Sequence, residues 1–277
     1  MPNFDPLTYR YSSRRNVVYA KNGVCCTSVP LGAQVGLDVL KNGGNAVDAA
    51  VAMAGAMPLL EPTGNGLGSD CFALVWIEKE KKLYGLNASG VAPMALSADE
   101  VHAKGFDAVP EEGWLPTMVP GAPAGWAALN ARFGTKPLSE LFAPAISYAE
   151  NGYAVPVNVG KLWARDSKRI ARVMAQDPAP YEYWWKSFMK PDGSPYRAGD
   201  VFRFPAYADT MRSLAETNCE SYYRGELSAD SNYDSSFSQD YTGFQGGIDK
   251  VQDYKGGKLY TGIAVNRIDS NAGYTAG

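Results

Sequence analysis

The sequence predicts an α+β chain, and three observations predict it. A run of small residues from Asn45 to Met57 reads as a helix packed closely under a sheet; two apolar runs, residues 71–77 and 82–87, alternate like the strands of a hairpin; and from Val119 onward apolar residues recur at helical spacing.

Taken in order, residues 1–21 are polar and tyrosine-rich, with Arg10, Arg14 and Arg15 close together, and read as an extended arm. Gly23 to Pro30, GVCCTSVP, has the length and β-branched content of a strand. Pro30 stops it ahead of a helix from about Leu31 to Asn42, whose apolar stripe is Ala33, Leu37, Val39 and Leu40. Gly43 and Gly44 suit the left-handed residue that ends such a helix, and Asn45 with Asp48 has the form of a capping box that starts the next. Alanines at 46, 49, 50, 52, 54 and 56 leave little bulk around this second helix, so another backbone can approach it closely. Pro58 and Pro62 predict its end, and Gly64, Gly66 and Gly68 predict a loop using backbone angles closed to residues with a Cβ.

That loop, GNGLG, can also be read as a phosphate cradle. A dinucleotide fingerprint follows a strand and opens a helix, whereas this loop follows a helix and opens a strand, so a tight crossover is the better reading and a nucleotide-binding module the poorer one. The strands after it flank the charged turn EKEK. Phe72, Leu74 and Trp76 lie on one face and Cys71, Ala73, Val75 and Ile77 on the other, which predicts a strand covered on both sides. Next comes NASGVAP, Asn87 to Pro93, a polar turn of the kind that carries ligand contacts on a rigid sheet, although a plain turn fits the local sequence equally well.

Further helices are predicted over 122–133, ended by Gly134; over 138–151, kinked or broken at Pro144; between 155 and 172; and over 206–217. The aromatic, turn-rich segment from Tyr181 to Pro205 reads as elaborated surface rather than core. Beyond Ser228 the chain is rich in Ser, Asp, Gly and Tyr with no sustained apolar period, and is expected to be loop, linker or disorder unless a partner covers it.

Composition excludes several classes. A net charge of −3 and a pI near 5.3 supply no basic field, so neither nucleic acid nor an anionic membrane is expected as a partner. No run approaches the length of a membrane span, and the polar start lacks the apolar centre of a secretory signal. The four cysteines include no CxxC pair, so no disulfide framework, metal site or cofactor is expected, and the chain reads as cytoplasmic. The one histidine, His102, lies in a polar helical run where a solvated side chain is expected. A His-activated nucleophile and a His-rich metal site are then both missing from the chain.

The run PLGAQVGLDVLKNGGNAVDAAVA, followed by EPTGNGLGSD, VPGAPAGW, FAPAISYAENGY and YYRGEL in this order, resembles the large-subunit half of the gamma-glutamyltransferase family over about Asn22 to Leu227. The GNGLGSD and LNASG forms look like its cytosolic branch. The resemblance implies an αββα sandwich of the N-terminal-nucleophile hydrolase type. It implies a precursor that cleaves itself to expose a threonine whose own amino group acts as base, so that histidine is not needed. It divides the chain into the arm 1–21, a family region 22–227 and an atypical polar tail 228–277, and it supplies no catalytic residue within this chain.

Two departures stand out. Members usually carry an arginine just before the Ala-Pro that matches Ala92-Pro93, where it holds the donor carboxylate; here the residues are Ser89, Gly90 and Val91, so the bidentate anchor is gone. We therefore expect Asn87, Ser89 and Gly90 to line the acyl site with weaker neutral hydrogen bonds, and an acylase-like preference for another amide becomes possible. The threonine-led segment is also not visible after Leu227, and the expected partner is such a small subunit together with a small gamma-glutamyl or related amide. Thr27, Cys25 and Cys26 lie where other N-terminal-nucleophile enzymes keep their nucleophile, but in the resembled family this stretch is structural. The alternative is a non-catalytic half that only binds a partner chain.

Overall fold

The computed structural model describes residues 18–93, 96–113, 115–224 and 252–253. Most of the predicted arm and tail therefore lies outside the described residues.

Helix α1, Pro30–Lys41, ends at Gly43, which is left-handed at φ +82°, and Asn45 starts α2, Ala46–Leu60. The capping box forms as expected: Asn45 Oδ1 accepts the N–H groups of Val47 and Asp48, and Asp48 Oδ2 accepts that of Asn45 at 2.9 Å. Helix α2 is buried nearly all round, as its alanines require. It runs on through Pro58 to Leu60 rather than stopping there. A proline so close to the end forfeits one helical hydrogen bond, and burial holds the last turn in place. Two tyrosine hydroxyls also bond this half of the helix, Tyr207 donating to the Gly55 carbonyl at 2.6 Å and Tyr153 to that of Leu59 at 2.5 Å. Burial pushes both phenols well above their ordinary pKa, so they stay protonated donors.

Strands β1, Cys71–Ile77, and β2, Lys82–Ala88, form the predicted antiparallel hairpin, with Cys71 opposite Ala88 and Phe72 opposite Asn87. A short α3, Ala98–Ala103, carries the exposed His102. Then follow α4, Ala122–Phe133; α5, Leu138–Asn151; β3, Tyr153–Ala154; α6, Val157–Met174; α7, Glu182–Phe188; β4, Val201–Phe202; α8, Pro205–Glu216; and α9, Ser221–Arg224. Helix α5 continues unbroken through Pro144. In the predicted tail, β5, Gln252–Asp253, pairs antiparallel with Tyr84 and Gly85 of β2.

Three expectations need correction. Residues 23–28 form no strand; the segment packs on the helices instead, with Thr27 Oγ1 against Met57 Sδ. A strand needs a neighbour, and no described residue supplies one there. The segment from Tyr181 to Pro205 contributes to the core: Phe202 is 1% exposed and packs edge-on to the fully buried Trp163, whose Nε1 donates to the Phe188 carbonyl at 2.7 Å. Third, β1 is covered on one face only. Cys71, Ala73 and Val75 pack against the core, whereas Phe72, Leu74 and Trp76 are 37%, 49% and 54% exposed. The predicted second cover is not among the described residues.

Candidate functional site

Three segments meet at one end of the hairpin: the crossover loop 61–70, the turn after β2 at 88–91, and the entry to α4 at 118–122. The carbonyl of Ser69 accepts two N–H bonds, from Gly121 at 3.1 Å and Ala122 at 2.8 Å, and the N–H of Val119 donates to the Val91 carbonyl at 2.9 Å. The backbones are too close for a side chain between them. A Cβ on Gly90, which is left-handed at φ +71°, would lie 1.9 Å from the Val119 carbonyl oxygen; one on Gly121 would lie 2.0 Å from that of Ala88. This is why glycine stands at both positions.

Tyr223, in the YYRGEL block, fastens the far side. Its buried hydroxyl accepts the Ala124 N–H at 3.1 Å and donates to the Pro120 carbonyl at 2.9 Å. With the Ser69 carbonyl taking Gly121 and Ala122, the N–H groups at the start of α4 are used internally. An anion site there is thereby excluded. Tyr223→Phe removes both bonds and leaves a buried N–H and carbonyl unpaired, so we expect a loss of about 2 kcal/mol in urea unfolding.

The structure places Asn87 on the open face of the sheet, since it is directly opposite the exposed Phe72 and opposite residues share a face. Its Oδ1 accepts the Ser89 N–H at 3.0 Å, shaping the turn, and Ser89 is half-buried with its hydroxyl 3.4 Å from the Gly90 carbonyl. Gly90 acts through its backbone, setting how closely the turn meets Val119. The three sequence-predicted site residues thus fall within four positions on one fixed turn, beside an uncovered apolar face. Tyr223, Ser69 and Gly121 were not singled out from the sequence, and the only signal for them was their membership of the motif blocks.

The loop 61–70 is anchored through Glu61, whose Oε2 accepts from Ser28 Oγ at 2.6 Å and Asn65 Nδ2 at 3.0 Å. None of Gly64, Gly66 or Gly68 is left-handed, contrary to expectation. Cys71, at the start of β1, is no nucleophile: burial, with the Asp70 carboxylate adding, pushes its thiol up to about 11. Burial also raises the Cys25 thiol. Among the described residues no cluster of His, Cys, Asp and Glu could hold a metal ion.

A helical layer under a hairpin, with a glycine-locked turn at the sheet end and its other face open, defines part of a layered α+β fold. The chain belongs to the gamma-glutamyltranspeptidase family, whose profile matches residues 32–241. Among solved structures it is similar to the cephalosporin acylase of Bacillus halodurans, with a TM-score of 0.75 and 49% identity over 88% of this chain and 44% of that one. The gamma-glutamyltranspeptidase of Helicobacter pylori has a TM-score of 0.70 and 29% identity, covering 77% and 60% respectively. Among curated relatives, the glutathione hydrolase proenzyme of Bacillus subtilis is 28% identical over 78% of this chain, and the oxamate amidohydrolase proenzyme of Klebsiella pneumoniae 34% identical over 74%. The chain spans 36% and 38% of these two proenzymes. Its fold is accordingly the large-subunit part of the N-terminal-nucleophile hydrolase sandwich.

Proposed function

We propose that this chain is the large-subunit portion of an amide-cleaving enzyme, completed by a threonine-led segment that supplies the nucleophile and covers the open face of β1. The observation that carries the reading is the placement of Asn87. It stands at the end of an uncovered apolar strand face, on a turn that Gly90, Gly121 and Ser69 hold rigid, where a second layer would enclose a small substrate between itself and this turn.

At the turn itself this chain offers the neutral hydrogen-bonding groups of Asn87 and Ser89. The segments 61–70, 87–93 and 118–125 contain Glu61 and Asp70 but no Lys or Arg. A donor held by its α-carboxylate would need its cation from elsewhere, so the wall suits an uncharged acyl group better than a gamma-glutamyl one. The likeness to an acylase at 49% identity supports the same preference. The four cysteines are free and Cys26 is exposed, which fits a reducing, cytoplasmic setting; fractionation of the source cells checks that placement.

The reading is tested by co-expressing the chain with the portion of the Bacillus halodurans acylase that it does not cover. We expect a two-chain complex that hydrolyses acyl anilides, with higher kcat/KM for a neutral acyl group than for gamma-glutamyl. A well-folded complex that cleaves neither would favour the non-catalytic alternative, in which the same open face only binds a partner.

A further inference from the structure

Helix α6 carries charge that its own fold does not need. Between Lys161 and Arg172 stand five basic residues and one acid, Asp166, in a chain whose net charge is −3. Lys161, Arg165, Lys168 and Arg172 recur at i, i+4, i+7 and i+11, which makes one stripe about 16 Å long with Arg169 beside it. Three like-charge pairs fall at i, i+4 within this set, and such pairs repel, so the stripe weakens its own helix. What fixes α6 in place is the opposite, buried face with Val159, Trp163 and Ile170. The cations have few partners: Arg165 gives its Nε to Asp166 at 2.9 Å yet stays 68% exposed, and Lys161 and Lys168 have no ion-pair partner among the described residues.

A second observation shows what this face takes. With Ala164, the five cations line a shallow groove of about 530 Å³. A carboxylate from elsewhere in the chain already sits at one end of it. Glu112, in the loop before α4, has its Oε1 2.9 Å from Arg169 Nη1 and 4.0 Å from Arg172 Nη2. Over Lys161 and Lys168 no such carboxylate arrives among the described residues.

We infer that this stripe is a docking surface for an acidic segment of another protein, an extended run of about five or six residues rich in Asp and Glu. Successive cations of the stripe are three or four residues apart, a rise of about 5–6 Å. Alternate side chains of an extended segment lie on one side at intervals of about 7 Å, so carboxylates on every second residue meet successive cations. Other polyanions fit less well. A bilayer would have to take up the apolar face of α6, which the core already holds. A nucleic acid would meet a protein of net charge −3, in a groove with no aromatic side chain on which a base could stack. The inference stands apart from the two-chain reading, since no residue of the stripe belongs to the candidate site.

The test follows the fluorescence anisotropy of labelled hexaglutamate on the full 277-residue chain at low salt, with hexaglutamine as the uncharged reference. The stripe variant is Lys161→Glu with Lys168→Glu. Its control, of equal charge change, is Lys21→Glu with Lys79→Glu, and all four lysines are exposed. We expect hexaglutamate to bind at least about tenfold more tightly than hexaglutamine, the stripe variant to lose about tenfold or more of that affinity at an unchanged melting temperature, and the control to lose about twofold or less. Equal binding of the two peptides, or equal losses in the two variants, overturns the inference. Tighter binding of equimolar phosphatidylcholine–phosphatidylserine vesicles or of a short DNA duplex through the same two lysines overturns it as well, and assigns the stripe to that polyanion. Should the stripe variant melt well below wild type, Lys161→Gln with Lys168→Gln takes its place, and full hexaglutamate affinity in that protein overturns the inference.

Discussion

Gly121→Ala is expected to destabilise the chain by about 4 kcal/mol or more and to abolish amide hydrolysis in the proposed two-chain enzyme. The backbone angles at Gly121, φ −102° and ψ −25°, are open to any residue, so the cost is steric. A Cβ would lie 2.0 Å from the Ala88 carbonyl oxygen and 2.7 Å from the Gly90 nitrogen, both of them backbone atoms that no rotamer change can move. Either the turn after β2 or the entry to α4 must shift by more than an ångström. That shift would break the paired N–H bonds to Ser69 and the bond between Val119 and Val91. Asn87 and Ser89 ride on the displaced turn, so under the proposed function substrate positioning would be lost along with stability. Urea unfolding of the chain and kcat/KM of the complex check the two parts. A variant with unchanged unfolding midpoint would mean that the two backbones are further apart than described.

The same arithmetic separates glycines that look alike in the sequence. NASGVAP and GNGLG both place glycine in a loop, yet only Gly90 is left-handed; Gly64, Gly66 and Gly68 are not. A one-dimensional pattern shows that a Cβ is missing but not whether an angle, a neighbour in the chain or a partner requires its absence. The capping box at Asn45 and Asp48 was legible because both partners are local, and the hairpin because alternation and the EKEK turn agree on its register. Where the reading failed, the decisive contact was remote. Pro58 does not end α2, because the helix is packed on all sides and bonded by Tyr153 and Tyr207 from far along the chain. The aromatic segment turned inward because Trp163, on another helix, gives Phe188 and Phe202 an apolar surface to cover. Tyr223 could not be weighted at all without knowing that its hydroxyl reaches Pro120. For the candidate site, the sequence located the turn that carries Asn87, Ser89 and Gly90, but the uncovered face beside it emerged only from the burial of alternate residues of β1.

Asp48→Ala is expected to cost about 4 kcal/mol, lowering the thermal midpoint by on the order of 10 °C. Asp48 is fully buried and does more than close the capping box. Its Oδ1 accepts the Thr135 N–H at 2.9 Å and that of Lys136 at 3.3 Å, while Oδ2 accepts the Thr135 hydroxyl at 2.5 Å besides the Asn45 N–H. The carboxylate therefore ties the start of α2 to the loop between α4 and α5, and Asn45 Nδ2 adds a bond to the Phe133 carbonyl at 2.6 Å. Removing it leaves several part-buried donors without their acceptor at once, which is costlier than losing one bond. The pH dependence follows from the same contacts. Burial on its own would raise the carboxyl, but the Thr135 hydroxyl and the N–H groups of Asn45, Thr135 and Lys136 outweigh it and hold the group below its ordinary value of 3.8. A carboxyl whose folded value is depressed contributes stability that is fully present above its unfolded value and is lost as pH falls through the folded one. Asp48 thus stabilises the chain at neutral pH and loses that contribution progressively as pH falls below about 4. Asp48→Asn keeps the shape and some acceptors without the charge, so it should be less stable than wild type at pH 7 while losing less on acidification between pH 5 and 2. Urea midpoints for both proteins across that range decide it, and parallel acid profiles would show that the Asp48 charge is not what joins these two helix connections.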